Sequence, residues 1–105
     1  MTVAGTLDVG GQRWMAPSSI FYWVVDAAAD RVADGGAAAA LREVSEHNLG
    51  WLDVDDLPTS ARKALLHTLA ELPDVARREL PSSPARQHVI AQVQELAVLA
   101  MSQPT

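Results

Sequence analysis

Apolar residues recur at helical spacing along most of this chain, and that pattern constrains its fold more than any other feature. The clearest case lies between residues 58 and 72, where apolar residues fall three or four positions apart, as one face of an α-helix requires. This stripe consists of Ala61, Leu65, Leu69 and Leu72. Pro73 interrupts it, so we expect the helix to end there, with one or two further turns in residues 74–80.

The run I-F-Y-W-V-V, residues 20–25, admits two interpretations. Its residues are nearly all strand formers, and a buried strand could have this composition. However, helical spacing continues to Ala33 without a turn signal, and that length favours a helix.

Two further helices are predicted, at residues 37–46 and 84–101. Leu41 and Val44 should face inward from the first of them. Serine, glycine and proline mark the expected helix ends, because they cap or interrupt the helical backbone. The start signals are Ser18 or Ser19 and Ser82-Ser83-Pro84, and the stop signal for the helix at residues 20–33 is Gly35-Gly36.

The N-terminal residues 1–16 contain the pattern of a small β-hairpin. T-L-D-V and Q-R-W-M flank Gly10-Gly11, a pair suited to the positive φ values of a two-residue turn, although V-G-G-Q could equally form a loop. Leu7, Val9 or Trp14 should pack against the helices. We therefore predict one mainly α domain over residues 1–105, a compact bundle of about four helices with a short N-terminal β-hairpin and a frayed tail at 102–105.

The composition limits the location and the chemistry of the chain. It has 105 residues, enough for one domain with a single core, and no cysteine, which excludes disulfides, thiolate metal sites and cysteine nucleophiles. The first ten residues do not resemble a signal peptide, and residues 20–25 are too short to span a bilayer. We expect a cytoplasmic protein without a membrane segment. The abundance of arginine and alanine is typical of a GC-rich bacterial genome.

Charge is distributed unevenly along the chain. Residues 26–56 carry eight acidic side chains and two arginines, a balance of −6, whereas residues 57–105 have a balance of +1. An acidic region repels phosphate and attracts basic partners. The charge pattern thus argues against nucleic-acid binding, which needs a positive field, and favours a basic protein partner.

The stretch H-N-L-G-W-L-D-V-D-D-L-P, residues 47–58, concentrates this charge in three aspartates. A calcium loop starting at Asp53 would need a ligand, a glycine and a closing glutamate where Leu57, Pro58 and Ala64 stand, so we predict no metal site. Two interpretations remain. The carboxylates either precede a helix, whose N-terminus favours negative charge, or form a docking surface.

Trp51 lies within this acidic stretch. It is either a core residue or an interface anchor, because aromatic side chains bury much area at little entropic cost. A ring beside carboxylates would suit an arginine of a basic partner. The predicted partner-binding residues are Glu46, Trp51, Asp53, Asp55 and Asp56.

No catalytic motif is evident in the sequence. His47, His67 and His88 form no helical ligand pair, and the serines occupy positions where helix caps belong. Neither glycine pair belongs to a phosphate-binding loop. We therefore predict a protein that is not an enzyme and that needs no cofactor.

The segment G-W-L-D-V-D-D-L-P-T-S-A-R-K-A-L-L-H-T-L, residues 50–69, resembles small acidic bacterial immunity-type proteins. In these proteins, acids at the end of a strand or loop lead through Leu-Pro into an amphipathic helix. The resemblance implies a protein that binds and masks a basic toxin, often a nuclease, without catalysis of its own.

The last predicted helix suggests an alternative function. V-I-A-Q-V-Q-E-L-A-V-L-A-M, residues 89–101, is apolar on more than one face, so Val98 or Leu99 should remain for another chain. The chain would then be a helical subunit or adaptor that homodimerises or joins a larger assembly.

Overall fold

The computed structural model describes residues 4–103 and confirms a mainly α protein. Two strands, β1 (Ala4–Val9) and β2 (Gln12–Pro17), are followed by α1 (Ser18–Arg31) and α2 (Gly35–Glu46). A short strand, β3 (Trp51–Asp53), then leads through a 3₁₀ turn (Val54–Asp56) into α3 (Thr59–Glu79) and α4 (Arg86–Met101).

The N-terminal strands form the predicted hairpin. Val9 lies opposite Gln12, and the two residues between them, Gly10 and Gly11, have φ values of 59° and 78°. Such values are costly for residues with a Cβ, which explains the glycine pair. Residues 1–3 of the predicted hairpin lie outside the described part of the chain.

The hairpin is only part of a three-stranded mixed sheet, so the prediction of a short N-terminal β-hairpin is confirmed in part. β3 pairs with β1 in parallel, with Leu52 beside Leu7, and the strand order is β2-β1-β3. The physical reason is that β1 has two edges, and a hairpin alone would leave one of them unpaired. Leu7, Val9 and Trp14 are buried against the helices, as expected.

The run I-F-Y-W-V-V is helical, so the interpretation based on length is confirmed. It lies in α1, which contacts both α2 and α3 and also packs against β1 and β2. Neighbours on several sides account for its strongly apolar composition. Phe21 is fully buried directly over Gly5, where a Cβ would overlap the aromatic ring.

Four predicted helix ends are wrong in detail, and two of them belong to α1. Ser18 and Ser19 do not cap α1, because the chain passes from β2 into the helix at Pro17 and both serines are already helical. Gly35-Gly36 begins α2 instead of ending α1, since the Asp34 carboxylate accepts the Ala37 N–H at 2.9 Å and caps the new helix.

Pro73 does not end α3, which continues to Glu79. A proline inside a helix costs about 3 kcal/mol, and burial of Pro73 and of the residues around it against α4 offsets that cost. The α4 helix begins at Arg86 and not at Pro84, because residues 82–85 form a turn in which the Arg86 N–H bonds the Ser83 carbonyl.

The described residues share a single hydrophobic core to which every helix and the sheet contribute. The radius of gyration, 12.7 Å, is close to the value of about 13 Å expected for a compact chain of this length. No helix within residues 4–103 is long and apolar enough to cross a membrane. At the C-terminus, Ser102 and Gln103 bond the Leu99 carbonyl, and residues 104–105 of the predicted frayed tail lie outside the description.

Candidate functional site

The connection from α2 to β3 exposes two large apolar side chains. Asn48 and Gly50 have positive φ values of 56° and 71°, which turn the chain sharply back towards the sheet. The Leu49 N–H bonds the Val44 carbonyl at 3.0 Å and anchors this turn on α2. Leu49 and Trp51 are left 53% and 52% exposed, which is unusual for residues that hydrophobic burial would favour.

Trp51 is fixed although it is exposed. Its indole N–H donates to the Asp8 carboxylate of β1 at 2.8 Å, and that carboxylate also pairs with Arg13 of β2 at 3.3 Å. Trp51 therefore lies on the solvent face of the sheet, as a strand residue and not a loop residue. Of the two predicted roles, the core role is wrong, because half of the side chain faces solvent.

Two of the three clustered aspartates accept hydrogen bonds from backbone N–H groups and so stabilise the local backbone. Asp53 accepts the Asp55 N–H at 3.0 Å and so caps the 3₁₀ turn. The two carboxylate oxygens of Asp55 accept the N–H groups of Gly10 and Gly11 at 2.9 and 3.0 Å. Asp55 thus binds the tip of the hairpin to the segment that follows β3.

The lead-in interpretation describes the position of these aspartates but not the contacts of Asp53 and Asp55. All three precede α3, but that helix has Pro58 at its N-cap, no side-chain cap and no acid in its first turn. Asp53 binds the 3₁₀ turn and Asp55 binds the hairpin instead. Leu57, half-buried, packs on the core and directs the chain into α3.

A groove of about 420 Å³ lies between β3, α2 and the 3₁₀ turn. Trp51 and Leu49 form its apolar rim, and the carboxylates that line it belong to Glu43, Asp53 and Asp56. The full lining is Ala40, Glu43, Val44, Leu49, Trp51, Leu52, Asp53, Asp56 and Leu57. No basic side chain of the described residues contributes to this lining, so the groove, which we call the acidic groove, has one sign of charge.

The acidic groove includes part of the predicted partner-binding set. Trp51, Asp53 and Asp56 line it, whereas Glu46 is exposed at the end of α2 and Asp55 turns towards the hairpin. The sequence prediction missed Glu43 as a lining residue. Its position one turn before Glu46 on α2 is the signal that could have found it, because residues three apart share a helix face.

Histidines and carboxylates do not converge elsewhere in the described chain. His67 pairs with Glu71 of its own helix at 2.9 Å, and His88 contacts Gln92 one turn later. Among residues 4–103, no group of three or more histidine, aspartate or glutamate side chains is arranged to hold a metal ion.

A second groove, of about 780 Å³, lies at the other edge of the sheet, between β2, α3 and α4. It contains the three remaining large apolar side chains that are exposed within the described residues, Met15, Val98 and Met101. We call it the apolar groove. Leu99, the other residue predicted to be left for a partner, is partly buried against the core and also lines this groove.

Comparison of the chain with family models, with curated proteins and with solved structures finds no match in any of the three. The two grooves are therefore the features of the molecule that bear on its function.

Proposed function

We propose that this protein is a cytoplasmic, non-catalytic binding domain whose acidic groove engages a basic segment of another protein. In its most specific form, the proposal is an immunity-type function, in which the partner is a basic bacterial toxin that the domain masks. The observation that carries it is the half-exposed Trp51 ring, held by Asp8 beside three groove carboxylates.

The fixed ring favours binding because Trp51 would lose little conformational freedom on association. An exposed tryptophan that is free to rotate would lose side-chain entropy on association, whereas Trp51 is already restrained by its hydrogen bond to Asp8. Tryptophan is also enriched among the few interface residues that dominate binding energy. Trp51 is accordingly the anchor in this proposal.

The carboxylates favour a basic partner. Glu43, Asp53 and Asp56 lie within one small groove, so an arginine could stack on Trp51 and pair with a carboxylate at once. These charges should act mainly on the rate of association, because exposed charges steer encounter more than they add affinity.

The test begins with capture of the partner from the native host and continues with association kinetics. Asp53→Asn with Asp56→Asn removes two of the three groove carboxylates, and asparagine can still cap the 3₁₀ turn. We expect severalfold slower association at low salt and a smaller effect at 0.15 M salt, where charges beyond about 8 Å are screened. The matched control is Glu71→Gln with Asp74→Asn, two exposed carboxylates on α3.

Trp51→Ala tests the anchor separately. It should speed dissociation about 30-fold, equivalent to about 2 kcal/mol, with little change in the association rate. Met101→Ala, which truncates an exposed apolar residue outside the acidic groove, should leave these kinetics unchanged. An acidic partner would refute the proposal, and so would association and dissociation rates that neither groove variant changes.

A second candidate function is supported by the apolar groove. Val98 and Met101 lie on one face of α4 and are 59% and 65% exposed, although side chains of this kind are usually buried. We therefore also propose that the protein is a helical subunit that homodimerises or joins a larger assembly through α4. Light scattering that gives a monomer mass at high micromolar concentration would refute its homodimeric form.

A further inference from the structure

The outer edge of β2 presents backbone groups that the sheet leaves unpaired. In a two-residue hairpin the residues flanking the turn bond each other, and paired and unpaired positions then alternate. Val9–Gln12 is such a pair, so Leu7–Trp14 is the next, and Arg13 and Met15 direct their N–H and C=O groups away from β1. Within residues 4–103, these outward groups have no backbone partner.

The same alternation on β1 supports this assignment. The Thr6 N–H bonds the Gly50 carbonyl at 2.9 Å, so Thr6 faces β3 and not β2. Thr6 lies opposite Met15, and neither residue of that pair can therefore bond the other's backbone. Met15 must direct its backbone groups outward.

The apolar groove runs along this edge. Trp14 from the inner face of β2 and Met15 from its outer face both line the groove, which places the groove at the side of the strand. Small residues of the helices also line it, among them Ala70, Ala91 and Ala97. An extended chain placed there would add to the sheet and cover Val98 and Met101.

We propose that the occupant of the apolar groove is the β2 strand of a second copy of this chain, paired antiparallel about a two-fold axis. The two three-stranded sheets would then join into one continuous sheet. This inference rests on the second candidate function and specifies its interface. It is independent of the acidic groove, which lies beside β3 at the other edge of the sheet.

Two features favour a second copy over a different partner. An antiparallel strand pair is self-complementary, as an isologous two-fold interface requires. The lining of the groove carries both signs of charge, with Arg13, Arg77 and Glu95, so that two copies of it can compensate each other.

The outward residues limit the register in which the two β2 strands can pair, and we place the two-fold axis at Trp14. With the two-fold axis at Trp14, Arg13 lies opposite Met15 of the second copy, and Met15 opposite Arg13 of that copy. Registers centred on either outward residue would place two arginines or two methionines directly opposite each other. Like charges directly opposite destabilise a strand pair, which disfavours the arginine register.

The first test compares masses in solution by sedimentation. Wild type should be a dimer at high micromolar concentration, and Val98→Glu should be a monomer there, because it places a charge in the apolar groove of both copies. Leu49→Glu is the matched control, since Leu49 is similarly exposed but lies at the acidic groove. It should remain dimeric.

The second test isolates the backbone pairing. Arg13→Pro removes one outward N–H from each copy, and a proline at an unpaired edge position leaves the β1–β2 ladder intact. Arg13→Ala removes the same side chain and keeps the N–H. Because two symmetric hydrogen bonds are lost, the dimer Kd of Arg13→Pro should exceed that of Arg13→Ala by about tenfold or more. Circular dichroism verifies that both variants are folded.

Amide hydrogen exchange of the wild type tests the pairing without a variant. The Arg13 and Met15 amides should become protected as the protein concentration rises through the dimer Kd, whereas the Trp14 amide, already paired to β1, should not change with concentration. A monomeric wild type would overturn the homodimer and the strand pairing together. A dimer that Val98→Glu dissociates, but in which Arg13→Pro equals Arg13→Ala and these amides exchange freely, would overturn the strand pairing alone.

Discussion

At the scale of single residues, Asp55 shows that a carboxylate in an acidic cluster can serve the fold. It accepts two backbone N–H groups at the hairpin tip, Gly10 and Gly11, from 45 and 44 positions along the chain. Hydrogen bonds to a charged acceptor are stronger than neutral ones, although solvent weakens them at an exposed site.

Asp55→Ala should therefore lower the free energy of unfolding by about 1–2 kcal/mol. The measurement is urea denaturation followed by circular dichroism. Asp56→Ala, a neighbouring carboxylate without these bonds, should stay within about 0.5 kcal/mol of wild type. Equal effects of the two substitutions would show that charge, and not the bonds to the hairpin, determines stability.

Gly5 illustrates a requirement for the smallest side chain. The Phe21 ring occupies the space that a Cβ would need, and Phe21 lies in the first turn of α1 and is fully buried. Gly5→Ala should destabilise by about 1–3 kcal/mol, because an overpacked core forces the ring or the strand to move.

Gly35→Ala is the matched control for that substitution. Gly35 has open space around its missing Cβ and begins α2, so alanine should stabilise the protein by about 0.4–1 kcal/mol through the unfolded state. Thermal denaturation of both variants should show shifts of opposite sign. A neutral Gly5→Ala variant would contradict the close packing of β1 on α1.

At the scale of elements, Trp14 joins the sheet to the last helix. Its indole N–H donates to the Gln92 carbonyl of α4 at 2.9 Å, and the side chain is only 3% exposed. Trp14→Phe removes this bond and part of a buried ring, which should cost about 1–2 kcal/mol.

The corresponding change at Trp51 should behave differently. Trp51→Phe also removes an indole hydrogen bond, but at a half-exposed site where water can replace the partner. Its effect on the free energy of unfolding should stay within about 0.5 kcal/mol. Chemical denaturation of both variants, measured side by side, checks this contrast. A larger loss at Trp51 would mean that the ring supports the fold more than it serves a surface.

The helices were predictable from the sequence, whereas β3 and several helix ends were not. Periodicity identifies a helix because its contacts repeat locally, as in the stripe of α3. The three residues of β3 are too few to show alternation, and their partner β1 lies more than forty positions away. The end of α3 was predicted wrongly at Pro73 for a related reason. The helix tolerates this proline because it is buried, and that burial depends on α4.

The candidate site was predictable in part. Trp51 and the aspartates stand out by composition, and Trp51, Asp53 and Asp56 line the acidic groove. The different roles of the aspartates could not be predicted from the sequence, because Asp55 accepts hydrogen bonds from residues of the distant hairpin. Glu43 could be assigned to the acidic groove only from the structure, which places α2 and β3 side by side.

At the scale of the whole molecule, the two grooves lie at opposite edges of one small sheet. The acidic groove follows β3, the apolar groove follows β2, and β1 separates them. Strands are spaced by about 4.8 Å, so the two outer strands are about 10 Å apart. Substitutions at such separations that share no partner usually act additively.

This separation predicts that partner binding and dimerisation are independent. Val98→Glu should dissociate the dimer and leave the affinity for a basic partner unchanged within about twofold. Trp51→Ala should lower the affinity for the partner and leave the dimer intact. The saturated wild-type complex should contain two partners per dimer, one at each outer β3 edge, and its mass by light scattering checks this. If Val98→Glu weakens partner binding as strongly as it weakens dimerisation, the two grooves form one composite interface, because the dimer axis then brings the partner of one protomer against the other.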